Sequence, residues 1–446
     1  MTAKRMVHML VSILAVGLAG LLGTAVYYGA IMHSTLKQVT TADEPQILLA
    51  VYVLEEDPAR SIEDTAGYTY GVSGDGRVQE ALASLFTQLE NTLGGRPERL
   101  EFQDLFALAD GLREKTCAAM ALDEALFASL TETEGYEWMR QGVRRLTTYA
   151  FAQEEPAAQA ETSGGGTSGE TGAEEEYVQD GYQPAPAAPQ KLSERFVVYI
   201  SGIDTFGGIS ARSRSDVNIL AAVDTQARRI QLVSTPRDYY VDFAAARGSK
   251  DKLTHAGLYG VGASMDALRR LYDMEIDYYL RLNFSGFVQI IDALGGIQVY
   301  SDYAFTVENV RDYKKGYNQL NGQEALAFAR ERYSFENGDY QRAKHQMEVI
   351  RAVLEKCTSP AILQNYQSVM EGIAGSFETN MPRSQILSLA MAQLTDGRQW
   401  DVSTFTVQGT GARRVTYSMP GRSLYVILPD QASVAQAKER LRDITG

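Results

Sequence analysis

From Glu154 to Gln190 the chain is rich in Glu, Gly, Ser, Ala and Pro and almost lacks large apolar side chains. Such a segment has too little to bury to offset the entropy of ordering it, and its like charges repel, so 153–192 is expected to be a disordered, extended acidic linker. Whatever folds must fold on either side of it, as regions with their own cores.

On the amino-terminal side, Lys4 and Arg5 precede Met6 to Tyr27, a run without formal charge that stays apolar through Ala30, Ile31 and Met32 and lacks a small-residue cleavage site. It is long enough to cross a bilayer, and basic residues ahead of a span stay in the cytoplasm. The expectation is a cytoplasmic tail over 1–5, a transmembrane helix over 6–32, and the remainder outside the cell as a single-pass membrane protein. Strand patterns at Ile47–Leu54, Tyr68–Val72 and Ala118–Ala121 alternate with helical ones at Val78–Leu93 and Phe102–Leu112, and a further helix opens at Leu122-Asp123-Glu124. This alternation predicts a small α/β accessory domain over 46–152. Its phrasing, Tyr52-Val53-Leu54, Ser61-Ile62-Glu63-Asp64 and Gly71-Val72, resembles one lobe of an extracellular solute-binding protein. A lone lobe lacks the facing wall of a bilobed binder, which favours a spacer or docking role. No residue in it stands out as a site.

Beyond the linker, Phe196–Ile200, Val217–Val223 and Ile230–Ser234 read as a three-stranded meander, with Asp224-Thr225-Gln226-Ala227 as its second turn. If sequential strands pair antiparallel, the end of the first, the start of the second and the end of the third share one edge. Asp204, Arg214, Asp216 and Arg237 fall there. Mg²⁺ takes one or two carboxylates together with phosphate oxygens, so Asp204 and Asp216 suit a metal held against a pyrophosphate gripped by the arginines. Further along, Asn321 and Glu324 stand in a capping-box relation at a helix start, and Arg330 and Arg332 leave its far end. Gly338 interrupts the chain, Asp339 is placed to cap a second helix, and Asp339, Arg342 and Gln346 then share one face. Arginines this dense beside an aspartate suit planar, bidentate recognition of phosphate. The bland reading of the Arg330 to Arg342 run is a solvated face with surface ion pairs, which the upstream cluster weighs against.

The motif series Arg214-Ser215-Asp216, Ser234-Thr235-Pro236-Arg237-Asp238, Lys252-Leu253-Thr254-His255-Ala256, Asn283-Phe284 with Asp292-Ala293-Leu294-Gly295-Gly296, Leu320 to Leu326, and Ala329-Arg330-Glu331-Arg332 through Gln346 resembles the LytR-CpsA-Psr family over roughly the last 250 residues. The resemblance implies a mixed-sheet α-β-α catalytic domain over 193–446 and a Mg²⁺-dependent phosphotransferase, with Mn²⁺ as the alternative ion. It implies transfer of a teichoic acid or capsular polysaccharide from a polyprenyl pyrophosphate carrier to peptidoglycan, forming a phosphodiester. Arg214, Arg237, Arg330, Arg332 and Arg342 resemble the pyrophosphate clamp, Asp204 and Asp216 the metal carboxylates, and Asp339 a functional aspartate among the arginines. Phosphoryl transfer needs positioning and charge stabilisation more than a nucleophilic side chain, and either Asp204 or Asp216 is placed to take the acceptor's proton. Where the second helix usually carries Arg-Gln-Gln or Asn-Gln-Gln, this chain has His345-Gln346-Met347, and Thr254 stands where Asn is common. His255 reads as a loop histidine satisfying its own surroundings, with a supporting donor as the functional reading.

Two other activities remain compatible with the residues: a pyrophosphatase on the same carrier, and a non-catalytic polyprenyl-phosphate-binding or regulatory protein of the envelope. Lys and Arg number 42 against 56 Asp and Glu, a net charge of −14 that argues against generic nucleic-acid binding. Membrane lipid, the lipid-linked glycan and peptidoglycan are the expected partners. Cys117 and Cys357 fall in different predicted domains, so no structural disulfide is expected.

Overall fold

The computed structural model describes residues 46–152, 182–189, 193–203, 205, 209–336, 338–357, 375–382, 384–386, 388–389, 393 and 398–446. The expected tail and transmembrane helix lie outside these, as do 153–181 of the expected linker. Among the described residues no helix is long and apolar enough to cross a membrane. The chain divides into two compact units. One takes in Asp43–Pro189, Ser193–Arg281 and Val402–Gly446, and the other contains Leu282–Asp401. The expected boundary between accessory and catalytic domains therefore does not separate compact units: the first unit holds the amino-terminal α/β region together with the meander.

The amino-terminal region is a five-stranded mixed sheet of β1 (Gln46–Leu54), β2 (Thr69–Ser73), β3 (Glu98–Phe102), β4 (Ala119–Asp123) and β5 (Val143–Ala152), in the order β3-β2-β4-β1-β5. The central strands β1, β2 and β4 were legible as apolar runs because both faces are covered. The two edges were not. β3 reads Glu-Arg-Leu-Glu-Phe and is largely exposed, while β5 carries Arg144, Arg145, Thr147 and Thr148, so neither offers a burial signal.

The meander forms as expected. β6 (Arg195–Ile203) pairs antiparallel with β7 (Ser215–Asp224), and β7 with β8 (Arg229–Ser234). Asp224 makes the β7–β8 turn, its Oδ1 accepting from the N–H groups of Gln226 at 3.0 Å and Ala227 at 2.8 Å. One irregularity matters. Gly202 opposes Val217 and Ile203 opposes Ser215, which leaves Asp216 as the extra residue of a bulge in β7. A Cβ at Gly202 would lie 2.8 Å from Val217 Cβ, so glycine there lets the bulged strand close in. The carboxy-terminal helix Gln431–Thr445, capped by Asp430, buries Val434, Ala437, Leu441 and Ile444.

Part of the expected linker is ordered. Tyr182 is buried with the Arg212 guanidinium 4.1 Å from its ring centre, and the Gln183 N–H donates to Tyr259 O at 2.8 Å. Its composition hid an aromatic anchor, the buried Tyr182.

In the second unit, Ile297–Ser301 pairs antiparallel with Gly316–Leu320, and the helix Gly322–Arg330 follows with both halves of the Asn321–Glu324 capping box formed. The second helix spans Gly338–Cys357, so Asp339 lies inside its first turn and not ahead of it. The departures at His345 and Met347 fall on its buried face. His345 stacks on Phe328 at 4.1 Å and on Phe305 at 5.3 Å between ring centres. Its Nδ1 lies 3.1 Å from Phe328 O and its Nε2 3.0 Å from Gln341 Nε2, a neutral imidazole donating at one nitrogen and accepting at the other. A longer arginine there would bring a charge into an aromatic box.

Burial lowers the His345 pKa from 6.5 to about 4. The unfolded chain therefore takes up a proton near pH 6.5 that the folded chain refuses until about 4, so the stabilising contribution is complete above 6.5 and is lost as pH falls through that window. The loss is expected to be on the order of 3 kcal/mol. Urea midpoints measured across the window should fall steadily for the native chain and more shallowly for His345→Leu; equal slopes would show that this histidine does not carry the effect.

Candidate functional site

β7 begins with the residues that matter, and the bulge decides where they point. Ser215 turns inward, where its hydroxyl lies 2.8 Å from both Tyr199 Oη and Ser201 Oγ, and Tyr199 Oη donates to Asn218 Oδ1 at 2.7 Å. Asn218 Nδ2 returns a bond to Ser215 O at 2.8 Å, so this buried network fixes the strand start beneath the site. Asp216 Oδ2 accepts from Arg237 Nη1 at 2.8 Å, with Arg214 Nη2 at 3.9 Å. Arg237 follows β8, which pairs with β7 up to Ile219 opposite Ser234. The convergence expected at this edge is thus realised for Arg214, Asp216 and Arg237. Asp204, next in sequence after β6, lies outside the described residues.

The Lys252–Ala256 motif supports this edge. The Thr254 N–H donates to Arg237 O at 2.8 Å and its hydroxyl donates to Asp216 Oδ1 at 2.9 Å. Threonine at this position, where Asn is common, is a direct partner of the site carboxylate. Lys252 Nζ pairs with Asp238 Oδ1 at 2.9 Å; burial raises the Asp238 pKa, but Lys252 and Arg237 outweigh it and leave it lowered. A Cβ on Gly257 would fall 2.5 Å from Ser213 O and 2.8 Å from Ser215 N, so only glycine lets this turn pack against the backbone that carries Arg214. His255 is buried and its Nδ1 lies 2.7 Å from Asp251 Oδ1, while Asp251 Oδ2 accepts the Ser418 N–H at 2.6 Å. Its contacts are those of a structural histidine.

One member of the network was invisible in the sequence. Glu132, in the turn after the helix Glu124–Thr131, places Oε2 at 2.5 Å from Arg237 Nη2 and 3.1 Å from Arg214 Nη1. Burial pushes its carboxyl up, but Arg214 and Arg237 together outweigh that and hold it below the usual carboxylate range. Burial likewise works against the Arg237 charge, and Asp216, Asp238 and Glu132 more than compensate. Among the described residues Arg237 Nε has no hydrogen-bond acceptor, its nearest carboxylate oxygen being Asp238 Oδ2 at 3.7 Å. Two guanidiniums, 2% and 8% exposed, face one carboxylate on their own sheet edge and one from the amino-terminal region.

The other expected site residues belong to the second unit. Arg330 ends its helix with its guanidinium carbon 4.2 Å from the centre of the Phe284 ring. Arg332, just beyond, donates from Nη2 to Tyr333 Oη at 2.8 Å. Arg342 and Gln346 are half-buried on the following helix, and Gln346 Nε2 reaches Ala329 O at 3.4 Å. Asp339 is placed there by its backbone alone.

A bulge thus sets Asp216 against an arginine just beyond the next strand, within the motif order given above. The LytR_cpsA_psr family profile matches residues 163–443. The chain belongs to the LytR-CpsA-Psr family. The match begins inside the stretch expected to be linker. Among LytR-CpsA-Psr relatives, the chain is 34% identical over 201 residues to the polyisoprenyl-teichoic acid–peptidoglycan teichoic acid transferase TagU of Enterococcus faecalis, covering 44% of this chain and 65% of that one. To the protein of the same name from Bacillus cereus it is 32% identical over 198 residues, covering 44% and 64%. The chain thus spans just under two thirds of the length of these relatives. The solved Lin1025 protein of Listeria innocua is 28% identical, with a TM-score of 0.47 over 57% of this chain and 99% of that one.

Of the two carboxylates expected to hold a metal, Asp216 is of the kind that Mg²⁺ takes together with phosphate oxygens, although both its oxygens already accept hydrogen bonds. Among the described residues there is no cluster of three or more acidic, His or Cys side chains able to hold a metal by itself. Thr254→Val is expected to lower stability by about 1 kcal/mol by stripping a donor from Asp216, and Thr254→Ser to recover it. Chemical denaturation of the three proteins checks this; a neutral valine would mean that the hydroxyl does not hold Asp216.

Proposed function

We propose that this chain is a membrane-anchored phosphotransferase that moves a phosphate-linked glycopolymer of the teichoic acid or capsular type from a polyprenyl pyrophosphate carrier to peptidoglycan. The observation carrying this reading is the Arg214–Asp216–Arg237 network at the bulged edge of β7, set in the motif series of the family. The names of the relatives supply the substrate class. The span over 6–32 would anchor the protein, with the catalytic region outside the cell.

In this reading Arg214 and Arg237 grip the donor's diphosphate, and Arg330, Arg332 and Arg342 complete the clamp, with Gln346 and Asp339 ordering the arginine face. Guanidinium forks suit this task because they match phosphate oxygens bidentately and stay charged when desolvated. An acceptor hydroxyl on peptidoglycan attacks the phosphorus that bears the glycan. Its oxygen forms the new P–O bond, the bond to the departing polyprenyl phosphate breaks, and the hydroxyl proton passes to a carboxylate of the pair Asp204 and Asp216. Asp204 and Asp216 would also hold Mg²⁺, which when bound supplies charge neutralisation at the phosphate oxygens. Thr254 orients Asp216, and the buried Ser215 network keeps the strand start fixed during turnover.

Arg237→Lys keeps the charge and loses the fork, and should lower kcat/KM by about 10² or more. The assay is conjugate formation by the full-length chain from a lipid-pyrophosphate glycan and peptidoglycan oligomers, with thermal melts to confirm folding. Lysine activity equal to that of the native chain would remove Arg237 from the clamp. Chelation by EDTA should abolish conjugate formation and added Mg²⁺ restore it; release of free phosphorylated glycan in place of a conjugate would make the chain a hydrolase.

A further inference from the structure

Glu132 is the one carboxylate in the arginine network that comes from the amino-terminal region, and local structure gives no reason for it. It is the residue closing the helix Glu124–Thr131, at the end where the backbone carbonyls already concentrate negative charge. A carboxylate is disfavoured there unless a cation elsewhere compensates. The compensation comes from Arg214 and Arg237, which both donate to the single oxygen Oε2. Among the described residues Oε1 accepts no hydrogen bond, and the side chain is 29% exposed, against 2% for Arg214 and 8% for Arg237. The carboxylate is therefore more exposed than either guanidinium, and it engages both forks through one oxygen, as a non-bridging phosphate oxygen would.

The same turn makes a second ion pair within this compact unit, where Glu134 Oε2 lies 2.7 Å from Arg413 Nη1. Both of those side chains are more than half exposed, so that pair contributes little energy. Glu132 differs because its partners are buried. A single carboxylate brings one negative charge to two guanidiniums, whereas a diphosphate brings at least two and offers oxygens to both forks at once.

We propose that Glu132 is an internal competitor for the donor's diphosphate: its carboxylate occupies the Arg214–Arg237 fork and must be displaced for the donor to bind, so that the amino-terminal region sets the affinity and selectivity of the site for anions. This rests on reading Arg214 and Arg237 as part of the diphosphate clamp. A monoanionic ligand gains nothing by the exchange, because it replaces one charge with another. A diphosphate gains a charge and a second set of acceptors. The device selects for the doubly charged group at the end of the carrier over singly charged lipids and sugars.

The test is calorimetric titration of farnesyl diphosphate and of farnesyl methyl phosphate, a singly charged phosphodiester, into the full-length chain, its Glu132→Gln and Glu132→Asp variants, and the double variant Glu132→Gln/Arg237→Gln. Glu132→Gln should bind the diphosphate about tenfold more tightly than the native chain, a change of about 1.4 kcal/mol, and should narrow the preference for diphosphate over the phosphodiester. Glu132→Asp, with a shorter reach, should fall between the two. If Glu132→Gln does not fold, as judged by its thermal melt, the Glu132→Asp affinity decides alone: tighter than native supports competition, equal or weaker overturns it. Equal or weaker binding by a folded Glu132→Gln would make Glu132 a brace for the arginines and sink the proposal. The double variant separates this from failure of the clamp itself. If it binds diphosphate as well as Glu132→Gln does, the diphosphate does not sit on Arg237, whereas a large loss keeps the clamp whatever the single variant shows.

Discussion

The guanidinium of Arg237 is the interaction on which the first unit's site depends. A buried arginine is tolerable only when its charge is answered, and here Asp216 and Glu132 answer it from opposite origins, one from the neighbouring strand and one from the amino-terminal sheet region. Each carboxylate is in turn held by other groups: Asp216 by Thr254, Glu132 by Arg214. Truncating Asp216 or Glu132 would remove one of the charges that answer Arg237. In the proposed reading, a ligand with more charge than a carboxylate rearranges this network.

What was readable in the sequence was what repeats with a period or obeys local chemistry. The meander showed itself through β-branched runs and the Asp224 turn, the Gly322–Arg330 helix through its capping box, and the edge carrying Arg214, Asp216 and Arg237 through antiparallel pairing alone. The features that escaped lack such a signal. β3 and β5 are edge strands with charged faces, and Tyr182 is a lone aromatic in a segment whose average composition is that of a linker. Glu132 is the clearest case. Its contacts are to residues 82 and 105 positions away, and the only local hint is a carboxylate at the wrong end of a helix. Asp339, read as a cap, sits one step further along because the helix already begins at Gly338.

The amino-terminal region lies in the same compact unit as the meander. Arg77 lies over the Tyr259 ring at 5.2 Å and Arg422 over Tyr136 at 4.9 Å, so cation–π contacts run in both directions across the seam. An apolar cluster continues from Tyr52, Phe106 and Tyr136 to Leu220, Val233 and Tyr272. A region fused this closely to the sheet bearing the site is part of that site's environment, which is why a glutamate from it can reach the arginines at all.

The extra residue in β7 sets the sheet and the chemistry against one another. Strict pairing would place Asp216 in the ladder opposite Ile203 and return Ser215 to the alternation it now breaks. Deleting one residue at that point would mend the hydrogen-bonded ribbon while turning the aspartate away from its arginine. The most regular version of this strand is thus the one that loses the Asp216–Arg237 pair, and irregularity at the edge of β7 is a requirement of that network rather than a defect in it.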